Sequence, residues 1–168
     1  MTGPIPYAHF LGSNDPLPVM RHTYARVLEV SAGLTPEHLR AAPEPGKWSF
    51  HDIVRHLTDT ELVFQVRLRF ILFEDAPHLP AFDQERWASF WSREPETFEQ
   101  SLERFRVLRE STIRLLEHVP QHDLLRTGTH PDHGSQTAGD YQIILAGHDI
   151  NHLGQLESIQ KRFVTLLR

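Results

Sequence analysis

The chain has 168 residues and a formal net charge of -5 at pH 7, with 23% charged and 39% hydrophobic residues. A net negative charge argues against the basic patch that nucleic-acid-binding proteins normally carry, so we expect no nucleic-acid partner. Cysteine is absent, which excludes disulfides, thiolate metal ligands and a cysteine nucleophile. The length fits one domain, which we predict over residues 1–168.

We also expect no membrane partner. No apolar run approaches the roughly 20 residues of a membrane-spanning helix. The first residues, Met1–Pro6, lack the basic and apolar regions of a signal peptide. These features predict a cytoplasmic protein.

Capping signals and helix-breaking residues predict four long helices. The first begins at Asn14-Asp15-Pro16, where capping side chains precede a proline. Ser49 and Asp52 match a capping box, as do Thr137 and Asp140. The predicted helices span residues 16–33, 49–74, 96–118 and 137–162.

The remaining segments are predicted to be short or irregular. Residues 1–13 follow no sustained period and are predicted to form an N-terminal arm. Residues 35–39 and 84–91 favour short helical turns, and residues 121–135 are polar and rich in turn formers. We find no strand-like alternation, so the prediction is an all-α, four-helix bundle.

Two of the predicted core-facing stripes carry histidines. The stripe of the second helix contains Ile53, His56, Leu57, Thr60, Val63, Phe64, Arg67, Phe70 and Ile71. The stripe of the fourth helix contains Tyr141, Leu145, His148, His152, Leu156 and Ile159. Residues four apart on a helix lie about 5–6 Å apart at Cβ, so His148 and His152 can converge on one metal ion.

A hydrogen-bonded core histidine is the main alternative for each of these residues, because most buried polar groups find such a partner. Burying several unpaired rings is costly, however, and one shared ion would satisfy them together. His130 and His133 are expected to be solvated in a loop. His51 diverges from His56, and Pro120 separates His118 from His122.

The His148–His152 segment lacks the glutamate of H-E-x-x-H, and neither stripe carries the Glu-x-x-His of di-iron bundles. Neutral imidazoles therefore remain as ligands. Three-histidine sites with an open position are typical of catalytic zinc.

The chain resembles the DinB/YfiT-like metalloenzymes in several segments. Residues Trp48–Asp59 resemble the family's W-S-x-x-(E/D)-I-V-x-H-L-x-D signature, and His148–Leu156 resemble its H-x-x-x-H helix. Ala81-Phe82-Asp83 with Trp87, and His130-Pro131, are similar to the YfiT branch. The chain departs from that branch in having Gly147 and Asp149 beside His148, where a histidine-rich run is frequent.

The resemblance implies a four-helix bundle that binds a divalent metal, zinc or nickel. It maps the ligands onto His56, His148 and His152. It also implies a small-molecule substrate, either for hydrolysis or for transfer of a low-molecular-weight thiol, and suggests a homodimer.

Several nearby residues are weaker candidates. Asp59 could orient a ligand imidazole from outside the coordination shell, or form an ordinary helix-face salt bridge. Gln155 could contact substrate or water, or form an interhelical hydrogen bond. Trp48, Trp87 and Trp91 could line the cleft or belong to the core.

Two functions remain open on this basis. The first is a metal-dependent enzyme, a hydrolase or thiol S-transferase. The second is a non-catalytic, metal-stabilised stress-response or binding protein. A solvent-reachable pocket at the metal favours the enzyme, whereas a closed apolar plug favours the structural role.

Overall fold

The computed structural model describes residues 4–93 and 95–165, and four long helices dominate this part of the chain. The prediction of a four-helix bundle is confirmed, and each long helix overlaps its predicted range. In chain order the helices are α1 (Ala8–Leu11), α2 (Pro16–Ser31), α3 (Pro36–Arg40), α4 (Phe50–Phe73), α5 (Gln84–Ala88), α6 (Phe98–His118) and α7 (Ala138–Thr165). Short 3₁₀ turns cover Trp91–Arg93 and Asp123–Leu125.

The predicted capping residues fix where the two histidine-bearing helices begin. The Ser49 hydroxyl accepts from the Asp52 backbone N–H at 3.1 Å, and the Asp52 carboxylate accepts from the Ser49 N–H at 3.0 Å. Thr137 and Asp140 form the same reciprocal pair at 2.8 and 2.9 Å. These bonds satisfy N–H groups that a helix start leaves unpaired.

The long helices form a closed ring, in which α2 packs on α6 and α7, and α4 packs on the same two helices. Two apolar clusters fill the interior, one centred on Leu68 and Tyr141 and the other on Phe50 and Phe105. Along α7, His148 and His152 lie between Leu145 of the first cluster and Leu156 of the second.

The predicted stripes lie in the core with one exception. Phe70 is 38% exposed, in line with the exposed Leu62 and Val66 on the outer face of α4. The spacing of four residues aligns these three side chains on one helix face, so assigning Phe70 to the inner stripe was wrong. No helix among the described residues has the length and apolar character needed to cross a membrane.

A β-hairpin, absent from the prediction, interrupts the turn-rich segment before α7. Strands β1 (Thr127–His130) and β2 (Gly134–Thr137) pair antiparallel. The loop after α4 is hydrogen-bonded to β1: Leu79 N–H donates to Thr129 O and Thr129 N–H donates to Pro77 O, each at 2.9 Å. The strands are short and carry no apolar alternation, so tertiary pairing rather than local pattern determines them.

The N-terminal arm is ordered over its described part. Helix α1 buries Leu11 against the bundle, and the arm lies on α7 at Gly147. A Cβ atom built on Gly147 would lie 2.2 Å from the Tyr7 carbonyl oxygen. Only a residue without a side chain permits this approach. Residues 1–3 of the predicted arm lie outside the described residues.

Candidate metal centre

The structure brings together His56 of α4 with His148 and His152 of α7. The Nε2 atom of His148 lies 2.9 Å from Nε2 of His56 and 3.0 Å from Nε2 of His152. All three rings are buried, and together they form a group of side chains that can hold a metal ion. Two ligands of a tetrahedral ion at 2.0–2.1 Å lie about 3.3 Å apart, so small movements suffice for coordination.

The surroundings of the cluster favour neutral imidazoles. Burial and, to a smaller extent, the neighbouring His152 together lower the pKa of His56 to about 3. Burial also lowers the pKa of His148 far below its ordinary value, and lowers that of His152 although its ring donates a hydrogen bond to Gln155. A neutral imidazole has the lone pair that a metal requires.

The hydrogen bonds of the cluster fit an ion better than they fit three rings alone. Gln155 Oε1 lies 2.9 Å from His152 Nδ1, so Nδ1 carries the proton and the lone pair of Nε2 faces the cluster. His148 Nε2 can donate to only one of its two neighbours. The buried Nδ1 atoms of His56 and His148 find no hydrogen-bond partner among the described residues.

No hydrogen bond joins Asp59 to His56 in the described chain. Its carboxylate accepts a hydrogen bond from Trp91 Nε1 at 3.1 Å, while Nδ1 of His56 remains without a partner in the described chain. Gln155 instead holds a ligand ring, through an intrahelical bond across three residues. Trp48 lies against His56, with ring centroids 4.8 Å apart, whereas Trp87 is 40% exposed.

The other predicted histidine placements differ in outcome. His51 diverges from His56 as expected and bonds to Ser101 Oγ at 2.9 Å. His130 was expected to be solvated, but it lies on β1 and is only 5% exposed. The hairpin missed in the sequence explains this error, because alternate residues of a strand face opposite sides and His130 faces inward.

Sequence reasoning also missed a buried ionic cluster on an adjacent face of α7. Arg109 Nη2 donates to Asp149 Oδ1 at 3.0 Å, and Arg109 Nε donates to Glu61 Oε2 at 2.8 Å. The Thr23 hydroxyl donates to Asp149 Oδ2 at 2.7 Å. The available signal was the position of Glu61, Arg109 and Asp149 on the inward, apolar faces of their helices, since buried charges are normally paired.

A cavity of about 190 Å³ opens beside the imidazoles. Its wall includes His56, His148, Tyr7, Arg67, His130 and Phe82, together with the single carboxylate of Asp132 among the described lining residues. The Tyr7 ring meets His148 edge-on, with centroids 5.1 Å apart. The cluster is therefore bordered by a space that a small molecule can enter.

These features define an α-helical bundle with a group of three histidines that can hold a metal ion. The sequence matches the family model described as the DinB superfamily over residues 20–156. The chain belongs to the DinB superfamily.

Individual relatives agree with this assignment. Two Oceanobacillus iheyensis proteins, each named "Putative metal-dependent hydrolase", are 29% and 27% identical over 77% and 79% of this chain, and 74% and 76% of their own lengths. A Bacillus cereus protein of the same name is 26% identical over 70% of this chain and 67% of its own.

A solved structure has the same fold. YfiT from Bacillus subtilis superimposes with a TM-score of 0.81 at 19% identity, covering 89% of this chain and 86% of that one. YfiT is described as "a probable metal-dependent hydrolase with an unusual four-helix bundle topology". At this identity the likeness establishes the fold alone.

Proposed function

We propose that this protein is a metal-dependent enzyme acting on a small molecule, with His56, His148 and His152 as the ligands of one divalent ion. The observation that carries the proposal is the convergence of three buried imidazoles beside a cavity, with His148 Nε2 at 2.9 and 3.0 Å from the Nε2 atoms of the other two. The names of the sequence relatives support metal dependence and hydrolysis.

The bound ion would act as a Lewis acid and lower the pKa of a water or thiol at its remaining position. Gln155 would hold His152 in the ligating tautomer, while Trp48 and Tyr7 restrict the rings of His56 and His148. Asp132, the single carboxylate among the described residues of the cavity wall, would accept a proton. The absence of cysteine means that a thiol reaction requires a thiol cosubstrate.

Hydrolysis and thiol transfer would use the same site, with water as the second reactant in hydrolysis and a thiol in the transfer. We propose zinc or nickel as the metal, because neutral imidazole suits both. The non-catalytic alternative predicts a closed site, and the cavity favours the enzyme over it. A homodimer and a cytoplasmic location stay predictions, the first testable by light scattering.

The deciding experiment compares metal-loaded wild type, metal-free wild type and metal-treated His152→Ala. Hydrolysis is assayed with 4-nitrophenyl acetate, and thiol transfer with N-acetylcysteine and chlorodinitrobenzene. We expect turnover only in the metal-loaded wild type, in the first assay for a hydrolase or the second for a transferase. Equal rates in all three preparations, in both assays, would refute the enzyme.

A further inference from the structure

Three arginines are buried in the described bundle, and their partners differ. Arg109 is paired with Glu61 and Asp149, and Arg55 lies 3.5 Å from the Glu96 carboxylate. Arg67 is 6% exposed, yet no carboxylate among the described residues lies within ion-pair distance of it. A buried guanidinium without a counter-charge is costly, so this exception requires an explanation.

The hydrogen bonds of Arg67 reach no carboxylate in the described chain, and Asp132 acts on its charge only from beyond ion-pair distance. Its Nε and Nη2 donate to the same acceptor, the Pro80 carbonyl oxygen, at 3.1 and 2.7 Å. Its guanidinium carbon lies 5.3 Å from the centre of the Phe64 ring, a cation–π contact. These bonds attach the loop after α4 to the helix, but a carbonyl group supplies only a dipole and no negative charge.

Arg67 is also the buried arginine that lines the cavity beside the three histidines. His130 lines the same wall, and its Nδ1 accepts the Asp132 backbone N–H at 3.1 Å. In the neutral ring the proton is then on Nε2, which makes that atom a hydrogen-bond donor. A guanidinium and an imidazole N–H on one wall together form a site for an anion.

We propose that Arg67, with His130, binds a carboxylate group of the small-molecule substrate and holds the rest of that molecule against the metal centre. This inference rests on the proposed function and specifies its substrate class. A carboxylate suits the site because one guanidinium offers one positive charge, whereas a doubly charged phosphate would call for more. The planar fork of arginine matches the two carboxylate oxygens. Burial lowers the pKa of His130 and thus keeps it a neutral donor.

The test uses probes that differ only in charge. The cobalt(II)-loaded protein is titrated with 3-mercaptopropionate and 3-mercaptopropionamide, following the thiolate-to-cobalt absorption band. We expect wild type to bind the carboxylate about 10-fold or more tightly than the amide, as a charge-assisted hydrogen bond provides. Arg67→Met should abolish this preference, and Arg67→Lys should keep part of it.

Arg69→Met is the matched control, since Arg69 lies on the same helix and is exposed. It should retain the full preference. Circular dichroism and cobalt content establish that each variant folds. If Arg67→Met does not fold, the Arg67→Lys titration decides, and an undiminished preference in that variant overturns the proposal. An equal affinity of wild type for both probes overturns it as well.

A second arm separates this inference from the proposed function. Metal-free wild type is titrated with butyrate and butyramide while the Arg67 Nε–H resonance is followed by NMR. A shift with butyrate alone supports the carboxylate site even if the protein binds no metal, in which case the proposed function fails and this inference stands. Metal-dependent turnover without an Arg67-dependent carboxylate preference would support the proposed function and overturn this inference.

Discussion

Asp149, the residue that follows His148 in α7, is paired with Arg109 of α6, and both side chains are buried. One turn of α7 thus presents an imidazole to the metal-binding group and a carboxylate to a neighbouring helix. Because Arg109 also pairs with Glu61 of α4, the ionic cluster joins the two histidine-bearing helices. The position of His148 relative to His56 therefore depends on charges outside the metal centre.

Replacing Arg109 with alanine should strongly destabilise the protein. The substitution leaves Asp149 and Glu61 buried without a counter-charge, a change that typically costs about 3–5 kcal/mol. Urea unfolding monitored by circular dichroism measures the loss. Arg106→Ala is the control, because Arg106 pairs with Glu103 and Glu110 on the surface and should matter little. Similar midpoints for both variants would contradict this view of the ionic cluster.

His152→Ala should reduce the metal content of the purified protein from about one ion per chain to nearly none. The variant keeps only two of the three proposed ligands, because one imidazole of the α7 pair is lost, and two imidazoles should hold the ion far more weakly. Elemental analysis gives the answer directly. His122→Ala is the control, since that side chain is 81% exposed, and it should leave the content unchanged. Full occupancy in His152→Ala would remove the proposed site.

Gln155→Leu should weaken metal binding by about 10–100-fold, because the amide oxygen holds the ligating tautomer of His152. Competition with a chelator of known affinity measures the change. Asp59→Asn should have no comparable effect, since the Asp59 carboxylate bonds to Trp91. The opposite ranking would restore Asp59 as the residue that orients the ligand.

The metal-free protein should become less stable as the pH falls below about 6.5. Burial lowers the pKa of His56 from 6.5 to about 3, so between these values the unfolded chain binds a proton that the folded chain does not. Linkage then requires stability to fall with decreasing pH across this window. Urea unfolding at pH 7 and pH 5.5 tests the sign, and His56→Gln should show a shallower dependence. A flat profile in the wild type would contradict neutral burial.

Gly147→Ala should displace the N-terminal arm, because the new methyl group would lie 2.2 Å from the Tyr7 carbonyl oxygen. Faster cleavage of the arm by a protease, followed by mass spectrometry, reports the displacement. Gly154→Ala lies in the same helix and meets nothing within 4 Å. It should leave the arm intact and raise stability slightly, as alanine favours a helix. Equal cleavage of the two variants would rule out this role for Gly147.

Patterns local to the sequence predicted the helices and the convergence of the three histidines. Capping boxes and helical periodicity depend on residues three or four apart, and they placed His56, His148 and His152 on inner faces. The hairpin depends on Pro77 and Leu79, which are distant in sequence from β1, so local pattern could not reveal it. The burial of His130 followed from that hairpin and was missed with it.

Partners across the bundle were also beyond local reasoning. The sequence placed Asp59 one helical turn after His56, but α4 turns its carboxylate toward Trp91. It placed Arg67 on the inner stripe correctly, yet its lack of an ionic partner is visible only once the neighbouring helices are assembled. The periodicity that assigned Phe70 to the core failed because the buried surface of α4 is set by its neighbours.

The order of synthesis has a consequence for how the metal-binding group forms. A nascent chain that has released α2, α4 and α6 from the ribosome carries His56 but neither His148 nor His152. It also carries Arg109 before Asp149, and Tyr7 before Gly147. Closure of the three-histidine group, neutralisation of the ionic cluster and docking of the arm therefore all require α7, which is synthesised after the other long helices.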